Sequence, residues 1–141
     1  MTRDKQDMKQ WAREHLKGVE NTLIPSFAPD MLELDEEGIR HDVRQSIAHG
    51  FFSMMCATET GLSLAEAKRF VEIAADEAQG EILVTTSLIL DSFEQNMELM
   101  LHAEEVGLDG VLLGYPRRST RVTRRRSTHA ARSSSTRRTC T

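Results

Sequence analysis

GFFSMMCATETGLSLAEAKRFVEIAADEAQG, residues Gly50 to Gly80, reads as one strand, one loop and one helix. The apolar run Phe51 to Cys56 is too short for a helix and suits a buried strand. Ala57 to Gly61 is a hydroxyl-rich turn ending in glycine. Ser63-Leu64-Ala65-Glu66 then has the pattern of a capping box, in which the Ser63 hydroxyl and the Glu66 carboxylate satisfy each other's backbone N–H groups. Phe70, Val71, Ala74 and Ala78 follow at helical spacing, and Gly80 falls where a left-handed residue ends a helix. In a strand–loop–helix unit of this kind, the loop after the strand is where binding and chemistry usually sit.

Three such units repeat. Upstream, Val19 to Ile24 reads as a strand stopped by Pro25, after a polar loop Asp35 is a candidate N-cap, and Ile39, Val43 and Ile47 mark a buried helical stripe ending at Gly50. Downstream, Ile82 to Thr86 is a β-branched run. Asp91 and Glu94 resemble a helix cap, Phe93, Met97, Met100, Leu101 and Ala103 form the expected apolar face, and Val111 to Leu113 gives a fourth strand. The strands begin near Val19, Phe51, Ile82 and Val111, at spacings of 32, 31 and 29 residues. A near-constant βα period with strands read as apolar argues for a parallel sheet covered by helices, α/β in class. Flavodoxin-like and barrel folds share this pattern. Ahead of it, Met8, Trp11, Ala12 and Leu16 give residues 4–16 the stripe of an amphipathic helix.

Charge divides the chain sharply. Of 141 residues with net charge -4, the segment Arg117 to Thr141 holds 9 arginines and no acid. The first 116 residues therefore carry the other 9 basic residues against all 22 acidic ones, a net charge of -13. The expected organisation is an N-terminal helix over 1–17, a βα body over 18–116 and a tail over 117–141. That tail contains 5 serines and 6 threonines as well, too polar to bury a core. It reads either as a basic arm for phosphate contacts on nucleic acid or, preferred here, as the product of an out-of-frame stretch. Read one nucleotide earlier, Thr123 to Thr128 is compatible with Asp-Glu-Glu-Glu-Val-Tyr.

Several chemistries lack their residues. No run of about 18 apolar residues is present, and the charged start MTRDKQDMKQ lacks the apolar core of a signal peptide, so a cytoplasmic address is expected. Cys56 and Cys140 form no metal-ligand or disulfide pattern, and no metal or cofactor is expected. The five histidines show no HxxxH pair and read as helix-surface residues. Asp30, Glu33, Asp35, Glu36 and Glu37 lack the alternating spacing of a calcium loop and read as a solvated loop and helix start.

Gly18-Val19 with Thr22, Pro25 and Phe27, the acidic loop before a helix ending at Gly50, Leu64-x-Glu66, and Gly107-Leu108-Asp109-Gly110-Val111-Leu112-Leu113 before Pro116 occur in a distinctive order. Over Gly18 to Pro116 the chain resembles the N-terminal half of the dihydrodipicolinate synthase and N-acetylneuraminate lyase family. The resemblance implies part of a (β/α)8 TIM barrel and class I aldolase or lyase chemistry, with a lysine forming a Schiff base with a 2-oxo acid such as pyruvate. The family's Gly-Thr-Thr-Gly-Glu loop falls on Cys56-Ala57-Thr58-Glu59-Thr60, which keeps only Thr58 in register. Thr58, and Thr60 after a one-residue shift, are therefore the candidate substrate-binding residues. Glu59 stands where a glycine would let an anion dock.

The resemblance places the Schiff-base lysine on a sixth strand and a relay tyrosine on a fifth, whereas four strands are legible here. Lys5, Lys9, Lys17 and Lys68 lie on expected helices or at a helix end, so no catalytic residue is assigned. Tyr115 precedes Pro116, and the family's following tyrosines are Arg117 and Arg118 in this chain. The expected reading is a truncated, inactive family member. The alternatives are nucleic-acid binding through the tail or a dimerising half-barrel, and self-association through open sheet edges is expected in any case.

Overall fold

The computed structural model describes residues 5–114. Tyr115, Pro116, Cys140, His129 and the whole arginine-rich segment from Arg117 lie outside them, as does the start of the chain through Asp4. The element order is α1 (Lys5–His15), β1 (Glu20–Leu23), α2 (Glu36–Ala48), β2 (Ser53–Cys56), α3 (Leu64–Ala78), β3 (Leu83–Leu88), α4 (Phe93–Glu105) and β4 (Gly110–Leu113). All four strands pair in parallel in the order β1-β2-β3-β4. A flavodoxin-like sheet would place the second strand outside the first. Sequential order is that of successive strands around a (β/α)8 barrel.

Local chemistry sets the helix ends. Asp35, in an extended conformation, accepts from the Gly38 N–H and starts α2. Both halves of the Ser63–Glu66 capping box are formed at the start of α3. At its end the left-handed conformation begins one residue before the expected glycine, with Gln79 at φ 45° and Gly80 at φ 80°.

The core lies between the sheet and α2, α3 and α4. Leu23, Met54, Cys56, Val84 and Leu88 point from the strands toward Ile39, Val43, Phe70, Ile73 and Leu99 on the helices. Burying Phe70 completely stabilises the fold by roughly 1.5–3 kcal/mol relative to leaving it exposed. The other face of the sheet is not apolar, so the strands are not the uniformly apolar runs that the repeat suggests. Register places Glu20 beside Ser53, and the Glu20 carboxylate accepts from the hydroxyls of Ser53 at 2.5 Å and Thr85 at 3.2 Å. Among the described residues no helix packs on this inner face at mid-strand, and Glu20, Ser53 and Thr85 satisfy one another there. Beside the N-terminal part of this face, α1 borders a cleft of about 560 Å3 that Trp11, Leu16, Phe52, Leu83 and Leu112 help to line.

Two expectations about α4 are corrected. Its N-cap is Ser92, whose hydroxyl accepts from the Gln95 N–H, and not Asp91. Of the expected apolar face, Ala103 is buried and Met100 packs against the core, but Asn96 and Leu99 complete the buried side while Phe93, Met97 and Leu101 are exposed. Asn96 explains the rotation. Its side-chain oxygen accepts from the Leu90 N–H at 2.9 Å, and its amide donates to the carbonyls of Leu90 at 3.1 Å and Ser92 at 2.8 Å. A buried amide that satisfies both backbone groups of Leu90 holds this side of the helix inward, because orphaning those buried groups is costly.

Candidate functional site

The C-terminal ends of parallel strands are where α/β folds gather ligands. Here Thr58, one residue beyond the Ala57 that still donates to the Leu23 carbonyl, is drawn against Ser87 of β3. The Thr58 N–H donates to the Ser87 hydroxyl at 3.0 Å, and the Thr58 hydroxyl donates to the Ser87 carbonyl at 2.6 Å. Ser87 in turn donates to the Glu59 carboxylate in a short hydrogen bond, and its hydroxyl also lies 3.3 Å from the Cys56 carbonyl. Thr58 and Ser87 are both buried, whereas Glu59 and Thr60 are exposed. Thr60 turns back to donate to the Ala57 carbonyl at 3.0 Å.

Each hydroxyl carries one hydrogen. Those of Thr58 and Thr60 are already directed to backbone carbonyls, so each hydroxyl offers a ligand only lone pairs in this arrangement. Glu59 adds negative charge to the same loop. The adjoining cleft, about 280 Å3, lies between the loops after β2 and β3 and is lined by Thr58, Glu59, Ser63, Asp91 and Gln95 among others. Its lining contains two carboxylates and no cationic side chain. Such a cleft suits a donor-rich or cationic group better than an anion.

The other reactive groups are accounted for elsewhere. Cys56 is fully buried, and burial pushes its thiol up to about 12, so it remains protonated at neutral pH. Lys68 holds Glu98 at 2.6 Å, tying α3 to α4. Lys9 is on α1 and Lys17 follows it, and none of these lysines is on a strand. Glu36 pairs with Arg69, and Glu37 with Arg44. Arg44 and Arg40 together hold Glu77, joining α2 to α3 and lowering the Glu77 carboxyl below its ordinary range, with the Arg44 hydrogen bond the larger cause. His102 Nε2 is 3.1 Å from Glu72 Oε1, while His15 and His49 each meet the carbonyl four residues earlier.

Ser87 is the site residue that the sequence reading misses. Its partners are 28 and 29 residues away, and a serine near a strand end carries no signal until the strands are placed side by side. The β3 segment also runs two residues past the expected Thr86, which is what brings Ser87 into the sheet.

No family model matches the chain. Among curated proteins, it is 34% identical over 105 residues to 4-hydroxy-tetrahydrodipicolinate synthase from Methanopyrus kandleri, covering 72% of this chain and 35% of that one. It is 32% identical over 100 residues to N-acetylneuraminate lyase from Citrobacter koseri, covering 68% of this chain and 33% of that one. Among solved structures, dihydrodipicolinate synthase from Aquifex aeolicus matches with a TM-score of 0.65 at 27% identity, over 71% of this chain and 35% of that one. The chain spans about one third of the length of these relatives.

Proposed function

Because this chain belongs to the dihydrodipicolinate synthase and N-acetylneuraminate lyase family, over the N-terminal part of its barrel, we propose that it derives from a Schiff-base aldolase or lyase acting on pyruvate or another 2-oxo acid, and that these 141 residues alone do not turn one over. A Schiff base forms when an uncharged amine adds to the ketone carbon and water leaves. The amine must therefore sit in a desolvated pocket or beside a cation that lowers its pKa. The observation that carries the proposal is the composition of the cleft beyond β2 and β3: it contains Glu59 and Asp91 and no lysine. Lys68 lies on the helical layer, where it is paired with Glu98 at 2.6 Å, and it does not line this cleft.

Within this reading Thr58 and Thr60 are the substrate-side residues of the loop in a whole barrel. Each must first release the carbonyl to which it now donates. Incubating the 141-residue chain with pyruvate and borohydride, followed by intact-mass measurement, tests the proposal. The unmodified mass is expected. A reduced pyruvate adduct on any lysine would show that the chain supplies its own nucleophile and would sink the claim of inactivity.

A further inference from the structure

Twelve large apolar side chains are exposed among the described residues, and their distribution is uneven. On one flank of the sheet they are Val19 and Ile24 around β1 and Met31 and Leu32 in the loop after it, whereas Met8 and Leu16 line the cleft beside the sheet together with Val111 and Leu112. On the opposite flank they are Phe93, Met97 and Leu101 on α4 and Val111, Leu112 and Leu113 on β4. The middle layer, α2, α3, β2 and β3, contributes none. Apart from this cleft, exposed large apolar side chains are confined to the elements at each end of the sheet, and both end strands present a backbone edge that no described strand pairs with.

We propose that these two flanks bind each other between two copies of this chain, the β4 flank of each copy meeting the β1 flank of the other about a two-fold axis, so that eight strands close into one ring. Three observations carry it. First, β1 and β4 are four residues each and run in the same direction, so β4 can continue onto a second β1 as a parallel neighbour with the polarity of every other pair in the sheet. Second, the strand arrangement matches that of a closed-barrel relative at a TM-score of 0.65, with four successive strands. Four strands with the curvature of an eight-stranded ring occupy half of it, so a head-to-tail contact closes after two copies and leaves no edge. Third, the area suffices. At about 150 Å2 per large apolar side chain and roughly half exposure, the ten on the two flanks offer on the order of 750 Å2 per copy, close to the roughly 800 Å2 per partner of a standard interface. The surfaces contributed by α2 and α3, held by the Arg40, Arg44 and Arg69 ion pairs, lie away from both contacts.

Sedimentation equilibrium of the full 141-residue chain is the first measurement, with a mass of twice 15.9 kDa expected. A monomer at tens of micromolar would overturn the proposal, as would a mass that keeps growing with concentration. Two exposed-site variants then separate the contacts: Leu113→Glu blocks the β4 flank and Val19→Glu blocks the β1 flank. Each variant alone is expected to dissociate at least ten-fold more readily than the parent while keeping its helical circular dichroism. Ala65→Glu, on exposed α3 surface, should leave the mass unchanged. An equimolar mixture of Leu113→Glu and Val19→Glu retains one intact β4-to-β1 contact and should regain dimer that neither variant forms alone. Dimers that ignore both substitutions, or a mixture with no gain, would show that the flanks do not meet each other.

Discussion

Asp109 holds Val84 by both ends of one peptide edge. Its backbone N–H donates to the Val84 carbonyl at 2.9 Å, and its carboxylate accepts from the Val84 N–H at 2.9 Å. The Gly107-Leu108-Asp109-Gly110 turn thereby fixes where β4 starts against β3. Asp109→Ala should leave the Val84 N–H unpaired at a strand start and cost about 1–3 kcal/mol. Asp109→Asn keeps an acceptor oxygen and should recover much of that loss. Urea unfolding of the two variants checks the order, and equal losses would mean that the carboxylate acts through its charge alone.

Ser87 and Thr58 form the corresponding lock at the other end of the strands. Removing the Ser87 hydroxyl by Ser87→Ala orphans the buried Thr58 N–H, with an expected loss of about 1–3 kcal/mol. Thr60→Val removes a single hydrogen bond to the Ala57 carbonyl, made by an exposed residue, and should cost about 1 kcal/mol or less. Thermal melts discriminate, since 1 kcal/mol moves the midpoint by roughly 3–4 °C in a domain of this size.

The capping box gives an acid dependence of known sign. The Glu66 carboxyl is held below its ordinary value of 4.5, first by the Ser63 hydroxyl and then by the Ser63 N–H. A carboxylate with a lowered folded pKa contributes stability that is present above its unfolded pKa and lost as pH falls through the folded one. Glu66→Gln should therefore destabilise the chain at pH 7, with a penalty that shrinks as pH falls below 4.5 and the parent residue takes up its proton. Ser63→Ala should cost about 1 kcal/mol at pH 7. A Glu66→Gln penalty that persists unchanged at pH 3 would exclude the charged cap.

Cys56 supplies the alkaline counterpart. Its folded thiol is raised by burial from 9.0 to about 12. The folded state thus keeps a proton that the unfolded chain releases, and the stability this group contributes is full below about pH 9 and lost as pH rises toward 12. In a Cys140→Ser background, Cys56 should resist a thiol reagent at pH 8 and react at once in denaturant. Rapid labelling of the native chain would show that β2 is open to solvent.

Most of the architecture is legible in residue patterns. The period of strands and glycine-ended helices, the Asp35 cap and the Ser63–Glu66 box all rest on interactions within a few residues of chain, and such interactions depend little on what surrounds them. The family resemblance chose barrel over flavodoxin-like order, and the sequential parallel sheet agrees. Thr58 is singled out by the family resemblance, as the one residue of the family's loop kept in register.

The rest required strands to stand side by side. Apolar spacing alone points α4 inward through Phe93, Met97 and Leu101, but Asn96 turns it, because the Leu90 and Ser92 backbone groups that it satisfies exist only once the loop is folded. The polar inner face has the same origin: Glu20 finds Ser53 and Thr85 at separations of 33 and 65 residues. Thr58 could be picked out from the chain, yet what its hydroxyl does was decided by Ser87, which lies 29 residues away in sequence and 2.6 Å away through its carbonyl. Short-range chemistry is written in consecutive residues. Long-range hydrogen bonds leave no local pattern, because any strand-end serine would read the same until parallel register selects one.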